Sequence, residues 1–271
     1  MLKKLANIDR KYIYIIIALC IIIPFLTGKV LPIRVSTPVQ RAYDSMENLP
    51  ECSRVLFSID YDPASQPELQ PMLLALLRHA FNRNLQVIMM CQWPLGFPLG
   101  QDALFGVAKE YNKKYGVDYV NIGYRPGVSA VMLGIGREIR DFFASDYAGT
   151  PLDSLEMMQT VHNYGDIALL IGLEAGATGD FWVRLAGAQF GQKIVLGGTA
   201  VCAPDMYPYL QAGQIEGIIG GLKGAAEYEK LVEHPGGGIV GMTAQSVGHI
   251  AIIIFIILGN IGYFAIRRKG K

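Results

Sequence analysis

The chain is poor in charge and poor in the residues that usually announce chemistry. Only 17% of its 271 residues are Asp, Glu, Lys or Arg, and 24 basic residues nearly cancel 23 acidic ones. A formal charge of +1 excludes a nucleic-acid binder that works through gross basicity. Four cysteines are too few for a disulfide-stapled miniature scaffold, and no CxxC or HExxH run offers a metal site. There are four histidines, no GxSxG and no GxxxxGK[ST], and the Gly-rich turn at 174–180 does not match GxGxxG, so no Ser/His/Asp set is supported. No repeat of fixed period stands out. No cofactor is implied.

What is abundant is apolar side chain, at 51%, which rules out wholesale disorder. Part of it sits in two uncharged runs. Tyr12–Thr27 (YIYIIIALCIIIPFLT) has 16 residues and would span roughly 24 Å as a helix. His249–Ile266 (HIAIIIFIILGNIGYFAI) has 18 and would span roughly 27 Å. Both lengths suit a transmembrane helix. Basic tails flank them at 1–11 and 267–271. These tails hold eight of the 24 basic residues and one of the 23 acidic ones, leaving 16 against 22 between them. The near-neutral total is therefore a cancellation between basic ends and an acidic middle. The positive-inside rule then puts both termini in the cytoplasm and the main domain outside a cell membrane crossed twice, although Lys29, Arg34 and Arg41 lie on the outer side. Leu26-Thr27-Gly28-Lys29 has no small-x-small pattern, so the first run reads as an uncleaved anchor rather than a signal peptide. Inside the second run, Asn260 between Gly259 and Gly262 suggests a helix–helix contact, with the first span or with another subunit.

Between linkers at 28–53 and 233–248, the stretch 54–232 alternates short apolar runs with helical periodicity. Strands are expected at 55–60, 85–91, 117–123, 166–173, 193–198 and 214–220. Helices are expected at 68–83, 100–115, 128–143, 154–161, 180–191, 205–212 and 222–232, and a short one at 40–48. The strand runs are continuously apolar, as a sheet covered on both faces requires. The reading is a doubly wound α/β domain with a mostly parallel sheet of about six strands, flanked by an N-terminal and a C-terminal transmembrane helix. GGG at 236–238 reads as a flexible linker.

In such a sheet, ligands bind beyond the carboxyl ends of the strands. That rule selects Asp60 and Asp62, Gln92 and Trp93, Tyr124 and Arg125, Glu174 and Thr178, and Thr199 and Asp205. Asp60-Tyr61-Asp62 resembles the acid pair of aspartate-nucleophile phosphatases, but Pro63 follows and no later strand ends in paired acids. EAGATGD at 174–180 is a Gly-rich turn of the kind that cradles anions, yet Glu174 and Asp180 would repel phosphate.

Four stretches resemble those of uncharacterised two-span membrane-anchored proteins of bacteria and archaea: GVDYVNIGYRPG (116–127), GTPLDSLEMM (149–158), APDMYPYLQAGQ (203–214) and GGLKGAAEYEKL (220–231). The resemblance runs through most of the chain and implies no activity. The run 209–228 is similar to the last strand and helix of one lobe of a solute-binding protein. A single lobe cannot close on a ligand like a clamshell. These readings lead to a membrane-anchored, non-catalytic subunit whose outer α/β domain mediates assembly with a protein partner or as a homo-oligomer, with the lipid bilayer as its other partner. The alternative is a small-molecule-binding or hydrolytic domain that uses the carboxyl edge.

Overall fold

The computed structural model describes residues 9–28 and 30–269, with side chains up to 264. Most of the basic tail 1–11, and the side chains of 267–271, lie outside the described residues. The chain divides into two units, 33–238 and the paired ends 1–32 and 239–271.

The larger unit opens with helix α2 (Thr37–Glu47) and then alternates strand and helix: β1 (Arg54–Asp60), α3 (Gln66–Asn82), β2 (Gln86–Cys91), α4 (Gly96–Glu110), β3 (Tyr119–Tyr124), α5 (Val128–Ile135), β4 (Leu169–Glu174), α6 (Thr178–Phe181), β5 (Ile194–Gly198), α8 (Ala203–Gln211), β6 (Gly217–Gly220) and α9 (Gly221–Leu231). Between α6 and β5 the helix widens into a π segment, Trp182–Gly187, and closes with one turn, α7 (Ala188–Phe190). All strand pairs are parallel, in the order β3-β2-β1-β4-β5-β6. This is a Rossmann-like order, and its direction of winding reverses between β1 and β4.

Two apolar layers follow from the period-2 alternation of the strands. Val55, Phe57 and Ile59 of β1 and Leu169, Ile171 and Leu173 of β4 join one core, with side chains from α2, α3, α4 and α9. Leu56 and Leu170 join the other, with side chains from α5, the π segment and α8. The strands are almost wholly buried, which explains why their sequences are continuously apolar.

Several expected elements are shorter or differently wound. The helix expected over 128–143 stops at Ile135. Gly134 packs on the Phe142 ring and Gly136 on the Phe190 ring, so the chain folds back into a 3-10 turn, Ile139–Asp141, capped by the Glu138 carboxylate. The helix expected at 154–161 is two 3-10 turns, Leu152–Ser154 and Glu156–Met158. The fourth strand starts at Leu169 because Asp166 is bound into a capping box with Asn163. The 28–53 linker contains α2, whose Val39, Ala42 and Met46 are core residues.

The GGG linker is not flexible. A long helix, α10 (Gly237–Lys269), begins there. Its start is held by Glu229 of α9, a buried carboxylate that accepts hydrogen bonds from Gly236 N (3.0 Å) and Gly238 N (2.8 Å). This is N-capping by a residue from another helix. Glu227, two residues earlier and fully buried, does the same for α2. It accepts from Ser36 N (3.0 Å) and Ser36 Oγ (2.6 Å) and is paired with Lys223.

The smaller unit contains helix α1 (Arg10–Thr27) and α10 beyond residue 238. Each is long and apolar enough to cross a membrane. They run antiparallel, with Leu31 N bonded to Thr243 Oγ1 (3.3 Å) and Gly248 facing Ile21. Along α10 the covered positions include Ala244, Gly248, Ala251, Phe255, Leu258 and Gly262. That alternating spacing of four and three is a coiled-coil seam built largely from small residues. Gly262 lies on it. Gly259 and Asn260 are exposed.

β6 lies so close to α2 that a Cβ on Gly217 would collide with the Ala42 backbone and methyl group. Gly217→Ala should therefore cost about 1–3 kcal/mol through overpacking. Gly106 is exposed in α4 with open space at its Cβ position. Gly106→Ala should be neutral, or stabilising by up to about 1 kcal/mol. Chemical denaturation of the two variants checks the pair. Equal effects would refute the close approach.

Candidate functional site

Asp60 and Glu174 are the last residues of β1 and β4, and they are register partners across the point where the winding reverses. Adjacent parallel strands lie about 4.8 Å apart. By alternation both side chains leave the sheet on the side of the second core. Asp60 is wholly buried and Glu174 is 3% exposed. Two acids are thus held side by side, out of water, at the position where this fold binds ligands.

Asp60 is held by three chain segments. Its Oδ1 accepts from Gln92 N (2.7 Å), beyond the end of β2, and its Oδ2 from Ser58 Oγ (2.7 Å), two residues earlier on the same strand face. Trp182, in the π segment, brings its indole N–H near enough to favour the ionised carboxylate, but the group closes no hydrogen bond. The indole fits because Gly172 lies beneath it, where a Cβ would come within 3.4 Å of Trp182 Cδ1. Burial outweighs these contacts and pushes the Asp60 carboxyl up to about 6.

Glu174 accepts a hydrogen bond from Gly179 N through Oε2. The carboxyl sits where a Cβ on residue 179 would be, so glycine is required there. Oε1 has no partner among the described residues. Burial raises the Glu174 carboxyl to about 8, with Asp60 and Asp180 adding repulsion. At neutral pH it holds its proton.

Beside Glu174 opens a cleft of ≈ 510 Å³, within the range of small-molecule sites. It is lined by Glu174, Asp180, Asp205, Tyr209, Leu196 and Met206, with Gly176, Ala177 and Cys202 completing the wall. Asp180 pairs with Arg184 (3.2 Å) and accepts from Tyr209 Oη. Among the described residues, no three His, Cys, Asp or Glu side chains gather to hold a metal ion. Cys91 and Cys202 are both free thiols.

The expected residues divide by what they touch. Glu174 and Asp205 line the cleft, Asp60 and the Gln92 backbone stand behind it, and half-buried Trp93 lies over Gly176 at its rim. Thr178 is buried at the start of α6. None of these last four lines the cleft, and the other four expected residues make contacts elsewhere. Asp62 closes a turn, accepting from Ala64 N (3.1 Å) and Ser65 N (3.2 Å). Arg125 bonds Phe142 O (2.8 Å) and stacks on the Phe143 ring. Tyr124 packs against the first core, and Thr199 Oγ1 accepts from Cys202 N (3.4 Å). The structure adds Ser58, Trp182, Met206 and Tyr209, and it puts Asp180 of the Gly-rich turn in the lining. It also adds Glu68, which reaches from α3 to accept from Ala200 N (2.8 Å).

Comparison with known protein families, curated proteins and solved structures yields no match. The geometry therefore carries the functional argument by itself.

The acid pair makes stability depend on pH. Glu174 keeps its proton to about pH 8 when folded but releases it near the ordinary 4.5 when unfolded. Between those values the folded state binds more protons, so stability falls as pH rises. The Glu174 contribution is fully present below about 4.5 and gone above about 8. Asp60 adds a smaller slope of the same sign up to about 6. Denaturation midpoints at pH 5, 7 and 9 should fall in that order. Glu174→Gln should flatten the decline and exceed wild type at pH 9. A wild-type midpoint that rises with pH would refute the assignment.

Proposed function

We propose that the chain is a membrane-anchored α/β domain that binds a small organic molecule at the carboxyl edge of its sheet. The observation that carries this reading is the Asp60–Glu174 pair, desolvated at the reversal of winding and opening through Glu174 onto the cleft. Burying two adjacent carboxyls is costly, and neither packing nor a structural ion pair explains it. Such arrangements concentrate at functional sites. Asp60 is the positioning acid, fixed from three sides. Glu174 is the group that faces a ligand.

The proposal places α1 and α10 in the lipid bilayer, with both termini cytoplasmic and the α/β domain outside. Outward-facing isoleucines along both helices suit lipid. The 33 residues of α10 span roughly 50 Å, longer than a hydrocarbon core of about 30 Å, so its first turns would stand clear of the bilayer. Cys52 supplies a native probe, since it is an exposed free thiol of the larger unit. A membrane-impermeant maleimide should label it in intact spheroplasts, and Cys52→Ser should remove that label. Labelling that appears only after lysis would reverse the orientation.

A second reading keeps the domain as a non-catalytic docking subunit. It is favoured by exposed apolar side chains at the same edge: Leu95 (58%), Val201 (84%), Phe181 (38%) and Tyr207 (43%). One experiment separates the two. The full-length chain in nanodiscs is screened by thermal shift against amines, amino acids, sugars, nucleotides and divalent cations. It is then cross-linked in native membranes. At least one compound class should raise the melting temperature, and Ala177→Phe, which fills the cleft, should abolish the shift. No shift from any class, together with a cross-linked complex lost on Val201→Asp, would replace the ligand-site reading with docking.

A further inference from the structure

In a Rossmann-like sheet the carboxyl edge favours anions, because helix N-termini point backbone N–H groups at the ligand. Here the chain's own oxygens occupy amides at two helix starts, Gly179 and Cys202, and in two of the loops that lead to helices, Gln92 and Ala200. Glu174 takes Gly179 N, Glu68 takes Ala200 N, Asp60 takes Gln92 N and Thr199 takes Cys202 N. A phosphate entering this edge would meet carboxylates in place of free amides.

The cleft has the same sign. Glu174, Asp180 and Asp205 are in its wall, and no Lys, Arg or His lines it among the described residues. Arg184 pairs with Asp180 but stands outside the lining, with 69% of its side chain in solvent. The rest of the wall is apolar or aromatic, chiefly Leu196, Met206 and Tyr209. Glu174 is the deepest of the three acids, and its Oε1 has no donor although the residue is 97% buried.

We infer that the cleft takes an organic cation, an ammonium group carried on a short apolar body, whose N–H donors meet Glu174 Oε1 while its body packs on Leu196, Met206 and Tyr209. The inference rests on the ligand-site reading and names the class of ligand. It carries a chemical consequence. Glu174 is protonated in the empty cleft at neutral pH. An arriving ammonium ion favours the carboxylate, so the proton leaves to solvent as the ion pair forms. Charge balances, because one cation enters and one proton departs. The Tyr209 ring adds a face for the cation, and Asp205 at the mouth adds attraction that salt should weaken.

The test is calorimetric titration of the full-length protein in nanodiscs at pH 7 with three probes of one shape: butylammonium, 1-butanol and butyrate. Butylammonium should bind at least tenfold more tightly than butanol, and butyrate should not bind. Titration in two buffers of different ionisation enthalpy should show release of close to one proton per butylammonium bound. Glu174→Gln should abolish that release and weaken binding severalfold. Asp205→Asn, an exposed change with little bearing on folding, should weaken binding and reduce its salt dependence without altering proton release. If butanol or butyrate binds as tightly as butylammonium, the cation class is overturned while the ligand site stands. If none of the three binds, the cation class falls, and the ligand site falls with it only if the thermal-shift screen also finds no stabiliser. Proton release that persists in Glu174→Gln would overturn the part given to Glu174.

Discussion

Four of the five buried carboxylates among the described residues organise this protein, and the difference between them is whether the fold satisfies them. A carboxylate removed from water must find donors or give up its charge. Glu227 and Glu229 find donors. One holds the Ser36 backbone and hydroxyl at the start of α2, and the other holds Gly236 and Gly238 at the start of α10. Both lie on α9, and Lys230 of the same helix donates to Ile33 O (2.6 Å). The entry and exit of the α/β unit are thereby tied to a single element. Asp60 and Glu174 sit at the opposite condition. They are neighbours on adjacent strands, they repel each other, and Glu174 lines a cleft. The first two acids hold the chain together, and the second two cost stability where they lie.

The close packing of the sheet explains how such a pair survives. Gly172 and Gly179 contribute no side chain, and into the space each leaves comes a group that supports an acid. The Trp182 indole sits over Gly172, and the Glu174 carboxyl sits over Gly179. The π segment is the local irregularity that accompanies this arrangement, since Trp182 opens it. Wide helical turns of this kind occur frequently at functional sites. Ser58, small and on the same strand face as Asp60, completes the support.

Much of this was legible in the sequence. Six apolar runs spaced by helical periodicity forecast the sheet, because strands buried on both faces have no polar positions to confuse them. The rule for ligand placement found Asp60 and Glu174 without knowledge of strand order. It also selected Asp62, Arg125 and Thr199, which serve local backbone groups instead. Composition cannot tell a side chain that bonds its own turn from one that faces a cleft. Glu68 and Tyr209 were missed because they reach the site from helices, where periodicity marks them as ordinary surface or core positions. The GGG stretch was misread for a related reason. Glycine is flexible only where nothing binds it, and the acid that binds Gly236 and Gly238 belongs to a different helix. The helix expected over 128–143 failed likewise, as Gly134 and Gly136 serve the rings of Phe142 and Phe190.

The sign of the carboxyl edge follows from these placements. A doubly wound sheet collects helix N-termini at that edge whatever its sequence, so its backbone offers partial positive charge there. This chain answers with Asp60, Glu68, Glu174, Asp180 and Asp205. Two of these acids, Glu68 and Glu174, occupy backbone amides of the loop after β5 and of α6, and Asp60 occupies the amide beyond β2. Once those donors are taken, the remaining carboxyl oxygens are what an incoming molecule meets. On the proposed reading, the same topology that serves phosphate when its loops are glycines with free amides favours positive charge when acids fill them. The acidic excess between the two basic ends of the sequence is, in part, the composition of that edge.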